Sequence, residues 1–244
     1  MSETPSGPAV LVTRPEPGAE ETARRLVALG FRPVLAPALV LEPRPFRLPP
    51  AQALLLTSRA AARALAAATP AASALPVLAV GEATAAAARA HGFLNVTAAG
   101  GDAAALAELA AARLDSAAGP LLLAVGEGYG QDLAAGLRAR GFRVLRRVAY
   151  AARPAKELPP SAKAALATGE VAAALFFSPR SAACAIVLLR TAGLAETATR
   201  MQALAISPRV ARTLESALAP LTWRALRVAE RPDQDALLDL LTPR

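Results

Sequence analysis

Residues 53–62, ALLLTSRAAA, read as a buried strand that runs into Thr57-Ser58-Arg59 and then directly into an alanine-rich helix. A strand that ends on small hydroxyl residues and turns into a helix presents backbone N–H groups with no partner at its carboxyl end, and such groups bind anions. The arrangement returns at residues 174–182, ALFFSPRSA, with Ser178 in the place of Ser58. One anion-receiving device is present twice, and the remaining chain divides around its two copies.

Upstream of the first copy, residues 1–8 read as a loose leader. An apolar strand over 10–13 follows, then the turn Arg14-Pro15-Glu16-Pro17-Gly18. A helix over 20–29 carries the stripe Ala23, Leu26, Val27 and Leu29 and closes at Gly30, and a strand over 31–35 completes a βαβ unit. Residues 37–50, PALVLEPRPFRLPP, are too rich in proline for a helix or a central strand, so they read as a linker with an extended piece at 39–41. After the helix over 60–68, a strand over 77–80 meets Gly81-Glu82-Ala83-Thr84 and a helix over 85–90 that closes at His91-Gly92-Phe93. A strand over 95–97 and a helix capped by Asp102 and running to 114 complete the first half.

A strand over 121–125 opens the second half, and LLLAVGEGYGQDLAAGLRARGFRVL lies over the first βαβ unit at an offset of 111, with Leu11 on Leu122 and Gly30-Phe31-Arg32 on Gly141-Phe142-Arg143. Residues 148–150 are a further extended piece, and Arg153-Pro154 begins a second linker. A strand over 174–177 leads to Ser178-Pro179-Arg180-Ser181 and a helix to 189. Residues 204–206 lead to Ser207-Pro208-Arg209-Val210, which lies over Gly81-Glu82-Ala83-Thr84 at an offset of 126. Residues 223–241 repeat the pattern of 95–114. The expected fold is α/β: two similar halves of parallel strands alternating with helices, hinged at the two linkers, with ligand bound off the carboxyl ends of the strands in a cleft between them.

The composition narrows the function. The chain has 244 residues, 54% hydrophobic and 4% aromatic, which excludes disorder and gives a tightly packed aliphatic core. Its net charge of +8 comes almost wholly from arginine, because Lys156 and Lys163 are the only lysines. Arginine pairs with carboxylates and phosphates bidentately, although a GC-rich genome would give the same bias. Cys184 stands alone, so a disulfide framework is excluded and a reducing compartment is expected. The start MSETPSGPAV does not read as a signal peptide, and no apolar run is long enough to cross a membrane, so a cytoplasmic location is expected.

Gly126-Glu127-Gly128-Tyr129-Gly130-Gln131 follows a strand and opens a helix, but Gln131 stands where a dinucleotide loop needs its third glycine. Arg146 and Arg147 stand where a ribose-binding acid is needed. His91, the single histidine, ends a helix as a cap. With one His and one Cys there is no standard metal site and no Ser-His-Asp or Cys-His system. The sparse carboxylates read as caps or solvated faces. What remains are hydroxyls at strand ends (Thr57, Ser58, Thr84, Ser178, Ser181, Ser207), arginines at the same places (Arg14, Arg59, Arg180, Arg209) and Tyr150. Each hydroxyl alone also suits an ordinary helix cap, and Tyr150 also suits a packing role.

Taken in order and spacing, Val12-Thr13-Arg14-Pro15, Leu56-Thr57-Ser58, Ala79-Val80-Gly81-Glu82-Ala83-Thr84-Ala85, Val148-Ala149-Tyr150 and Phe176-Phe177-Ser178-Pro179 resemble the uroporphyrinogen-III synthase family over nearly the whole chain. The resemblance implies two flavodoxin-like α/β domains, 1–37 plus 152–244 and 42–147, joined by a two-stranded connector at 38–41 and 148–151. The offsets alone equally allow two consecutive domains. The implied reaction closes the linear tetrapyrrole hydroxymethylbilane to uroporphyrinogen III, with inversion of the last ring and loss of water. It needs neither metal nor cofactor. Tyr150 matches the family's proposed proton donor to the departing hydroxyl, and the strand-end hydroxyls and arginines would meet the substrate's eight carboxylates. A monomer is implied, with transient handover of the bilane from porphobilinogen deaminase.

Three departures stand out: Ser207-Pro208-Arg209-Val210 in place of Gly-Pro-Thr-Thr, Phe177 in place of a threonine, and Gln131 in place of an arginine. A non-catalytic two-lobed binding protein for an anionic metabolite is the competing reading. Nucleic-acid binding rests on pI alone and lacks any reading motif.

Overall fold

In the computed structural model, residues 7–68 and 74–241 are described. The chain falls into two compact units, Met1–Val40 with Arg153–Arg244 (unit 1) and Leu41–Ala152 (unit 2).

Unit 1 is built on five parallel strands, β1 (Ala9–Val12), β2 (Arg32–Leu35), β9 (Val171–Phe176), β10 (Gln202–Ala205) and β11 (Ala225–Val228), in the spatial order β11-β10-β9-β1-β2. The central strands read as continuous apolar runs because both faces of the sheet are covered. Their side chains alternate between two cores. Leu11, Ala174, Phe176 and Ala203 meet α6 (Pro160–Ala167), α7 (Pro179–Thr191) and α8 (Pro208–Leu218). Val10, Val12, Leu175 and Leu204 meet α1 (Gly18–Ala28) and α9 (Gln234–Leu238). This period of two is what sorts helices onto opposite faces.

Unit 2 repeats the plan. Its strands are β3 (Leu39–Pro43), β4 (Ala53–Leu56), β5 (Val77–Ala79), β6 (Val96–Ala98), β7 (Leu121–Gly126) and β8 (Val144–Pro154), in the order β3-β8-β7-β4-β5-β6. Leu55, Leu121, Leu123 and Val125 pack beneath α4 (Ala103–Arg113) and α5 (Gln131–Ala139). Leu54, Leu56, Leu122 and Ala124 pack beneath α2 (Arg59–Ala68) and α3 (Glu82–Ala90). Truncating any of these buried leucines to alanine costs about 2–5 kcal/mol. Without the edge strand β3, and started at β7 instead of β4, the order β8-β7-β4-β5-β6 is that of β2-β1-β9-β10-β11, so these two five-strand sets are cyclic permutations of one topology.

The strand over 53–56 forms as its sequence predicts, and Asp102 caps α4, its Oδ1 accepting the Ala105 N–H at 2.8 Å. Pro8, placed in the leader, already accepts the Arg32 N–H at 3.1 Å, while residues 1–6 lie outside the described residues. The linkers need correction. The extended piece at 39–41 is part of an edge strand reaching Pro43, and Arg153-Pro154 does not begin a linker but ends the 11-residue strand β8. Both prolines sit at strand ends, where a missing N–H breaks no ladder. Helix α6, opened by Pro160, adds an element that the reading of the sequence does not contain.

Candidate functional site

In unit 2 the chain moves from β4 through β5 to β6 on one side and from β7 to β8 on the other. The direction therefore switches between β4 and β7, and the carboxyl ends of these two strands flank the crevice where open α/β sheets bind ligands. Thr57 and Ser58 follow β4, and residues 127–130 follow β7. A cavity of about 460 Å³ opens there, lined by Thr57, Ser58, Gly126, Tyr129, Tyr150 and the first residues of α4 and α5. Ser58, Ala103 and Gln131 stand at the N-termini of three helices, whose first-turn N–H groups and dipoles favour an anionic ligand. The lining surface is mainly apolar and Asp132 is its one charged side chain, so the positive bias comes from the helix N-termini alone.

Tyr150, half-buried on β8, holds its hydroxyl 3.1 Å from Ser58 Oγ. Ser58 Oγ also accepts the Ala61 N–H at 3.1 Å, the capping bond that fixes its rotamer. The Tyr150 carbonyl accepts the Glu127 N–H at 2.9 Å, which ties β8 to the glycine loop. That loop is shaped by contact. A Cβ on Gly126 would lie 2.8 Å from Tyr150 Cζ, and one on Gly130, at φ +82°, would lie 2.6 Å from Val125 Cγ1. As a dinucleotide motif the loop is incomplete; Gly126 instead clears room for Tyr150, while Gly128 and Gly130 supply the positive φ that the turn needs.

Unit 1 has its own switch point, between β1 and β9, bridged by Thr13 Oγ1 donating to the Leu175 carbonyl at 2.7 Å. Here Arg14 lies inward: Nη1 donates to Gln234 Oε1 at 2.6 Å, and the guanidinium sits 4.3 Å above the Phe177 ring. Ser178 caps α7 by accepting the Ser181 N–H at 3.1 Å, and the two hydroxyls lie 2.9 Å apart. Ser181 is buried. Ser207 begins α8 through its backbone alone, and Arg180 and Arg209 are exposed.

Of the residues singled out in the sequence, the cavity of unit 2 gathers Thr57, Ser58 and Tyr150, with Arg59 next in chain at the start of α2. Thr84 is not among the lining residues: it is 6% exposed, turned into the core in the first turn of α3. The carboxylates held below their ordinary range are elsewhere, on exposed surface of unit 1. Glu157 is lowered by Lys163, Glu170 by Thr168 and Arg32, and Asp233 by the Ala236 N–H and Arg231. Among the described residues no cluster of His, Cys, Asp and Glu could hold a metal, and no helix is long and apolar enough to cross a membrane.

Five parallel strands of one cyclic order in each unit, with a cavity at the switch point of unit 2, define a two-unit α/β protein with an opening for a small molecule. Over residues 20–239 the sequence matches the family described as uroporphyrinogen-III synthase HemD, and the chain belongs to that family. It is thus an enzyme of the cyclising lyase class. Uroporphyrinogen-III synthetase from Helicobacter pylori shares the fold at 18% identity, with a TM-score of 0.60 over 96% of this chain and 98% of its own. A mutant uroporphyrinogen III synthase from the extremely thermophilic bacterium Thermus thermophilus aligns at 22% identity and a TM-score of 0.45 over 96% and 97%. No curated protein matches the chain by sequence.

Proposed function

We propose that the chain closes hydroxymethylbilane to uroporphyrinogen III with inversion of the last ring, and that the cavity of unit 2 receives the reacting end of the bilane. The observation that carries this reading, beside the family, is the Tyr150 hydroxyl at a switch-point cavity ringed by three helix N-termini. An electron-rich pyrrole expels its hydroxymethyl oxygen readily. Tyr150 gives its proton to that oxygen as the C–O bond breaks, water leaves, and the azafulvene so formed is attacked by the opposite terminal ring to give the spiro intermediate. The spiro carbon then breaks its bond to the original bridge, leaving a second azafulvene on the neighbouring ring. The free α-carbon of the last ring closes on it, inverting that ring, and the proton lost from this carbon as the pyrrole regains aromaticity returns to the phenolate. Left alone the bilane closes without inversion, so the larger task is to hold both terminal rings in one geometry.

Backbone N–H groups at Ser58 and Arg59, the Thr57 hydroxyl and the Arg59 guanidinium are suited to substrate carboxylates. Each unit reads as flavodoxin-like, supported by the 2-1-3-4-5 order of the sheet in unit 1 and its permutation in unit 2. The proposed domains, 1–37 plus 152–244 and 42–147, are supported by the two compact units. We further propose that the protein works as a cytoplasmic monomer that takes the bilane from porphobilinogen deaminase. The test is a coupled assay: porphobilinogen and the deaminase generate the bilane with and without this chain, and oxidised products are separated. Mostly type III porphyrin supports the reading. Type I porphyrin alone, with folded protein present, leaves a binding protein in its place.

A further inference from the structure

The loop after β7 carries a residue that the mechanism above does not use. Tyr129 is pinned through its backbone: its N–H donates to the Gly126 carbonyl at 3.1 Å, and its own carbonyl accepts Arg146 Nε at 2.7 Å. Its neighbours Gly128 and Gly130 take φ of +86° and +82°, a conformation that side chains resist, so the loop is set in one course around it. Tyr129 is nevertheless 70% exposed while lining the cavity that holds Tyr150. A tyrosine ordinarily buries its ring and leaves only the hydroxyl wet. Here the fold fixes the main chain and leaves the side chain uncovered at the mouth of a cavity. The chain has only two tyrosines, and both are at this cavity.

Resting on the bilane reading, we infer that Tyr129 is the platform on which a pyrrole ring of the linear tetrapyrrole stacks at the entrance to the cavity. A pyrrole is flat and matches an offset phenol face. When the hydroxyl leaves, the ring becomes a delocalised azafulvenium cation, which the electron-rich face of Tyr129 attracts more strongly than the neutral ring. Tyr129 exchanges no atom with the substrate: the proton comes from Tyr150, the oxygen departs as water, and Tyr129 holds the ring between those events. The inference extends the site outward from the chemistry to the grip on the substrate.

The test compares Tyr129→Phe, Tyr129→Leu and Tyr129→Ala by anaerobic equilibrium binding of uroporphyrinogen III and by KM in the coupled assay. Tyr129→Phe keeps the face and is expected within about twofold of the parent. Tyr129→Leu and Tyr129→Ala are expected to weaken binding and raise KM by about 3- to 10-fold, with the urea midpoint unchanged because the residue is exposed. A Tyr129→Leu protein that binds and turns over like the parent, while the parent makes type III porphyrin, overturns the inference alone. A parent that binds uroporphyrinogen III through the ring at 129 but yields only type I porphyrin overturns the synthase reading alone. A parent that does neither overturns both.

Discussion

Thr57 and Phe177 hold matching places, each one residue past the end of a central strand, and the two units part company there. In unit 1 the Phe177 ring takes the position, and Arg14 lies over it, tied to Gln234. In unit 2 a threonine leaves the equivalent space open, and Tyr150 and Ser58 face a cavity. Ser58 and Ser178 cap their helices in the same way, yet only Ser58 has a phenol as second partner. A shared topology offers two candidate sites. The side chain one residue past the strand differs between them, and Arg14, which the sequence groups with the ligand-binding arginines, packs on Phe177 and bonds Gln234.

The largest effect is expected from closing the open switch point by force. Gly126→Val places methyl groups where the Tyr150 ring lies, and a displacement of about 1 Å at such a group costs on the order of 100-fold in kcat/KM. Steady-state kinetics check this, and full activity in the variant would show that the cavity is not used. Tyr150→Phe comes next: turnover is expected to fall about 100-fold while product affinity stays within about threefold. Unchanged turnover would remove Tyr150 from the proton transfer.

The paired serines probe the contrast itself. Ser58→Ala and Ser178→Ala each lose one helix cap and about 1 kcal/mol of stability in urea, but only Ser58→Ala is expected to slow turnover, by a few-fold, through Tyr150. Equal kinetic losses would place both serines on the substrate and erase the distinction between the units.

The smallest expected effect is acid sensitivity confined to unit 1. Glu157, Glu170 and Asp233 are held below their ordinary range in the folded chain, so the native state binds fewer protons than the unfolded one. Their contribution is complete above the ordinary carboxylate range and is lost as pH falls through their lowered values, below about pH 4.5. All three are exposed, so the loss is small and 1 M salt is expected to flatten it. Trp223, the single tryptophan, is buried in unit 1 against Phe176 and reports that unit by fluorescence. A salt-independent acid transition would assign the sensitivity elsewhere.

The sequence is most legible where local chemistry and tertiary role agree. Four consecutive apolar residues at 53–56 suit a strand covered on both faces, and Asp102 has one good place to be, three residues before the N–H it caps. Legibility fails where a residue's meaning depends on a distant partner. Phe177 reads as a lost hydroxyl because Arg14, 163 positions away, is what makes an aromatic ring useful there. Thr84 reads as a ligand hydroxyl because strand-end position says nothing about which face of the following helix a residue takes. The extent of β8 is hidden by Arg146, Arg147 and Arg153, polar residues that break the apolar run although the strand keeps all three half-buried. Tyr150 is visible through family likeness, but its partner Ser58, 92 positions earlier, is a matter of sheet order that the sequence does not state.

The cyclic permutation also sets a timetable. Unit 2 is one continuous stretch, so all its strands leave the ribosome together. The first strand of unit 1 precedes unit 2 in the chain, yet its central neighbour is encoded some 160 residues later, where Leu11 meets Ala174. At about 5–20 residues per second the N-terminal βαβ segment waits on the order of ten seconds for the strand that completes its sheet. During that interval one edge of β1, all apolar and destined for the middle of a sheet, has nothing to pair with, and unit 2 is synthesised in full while it waits.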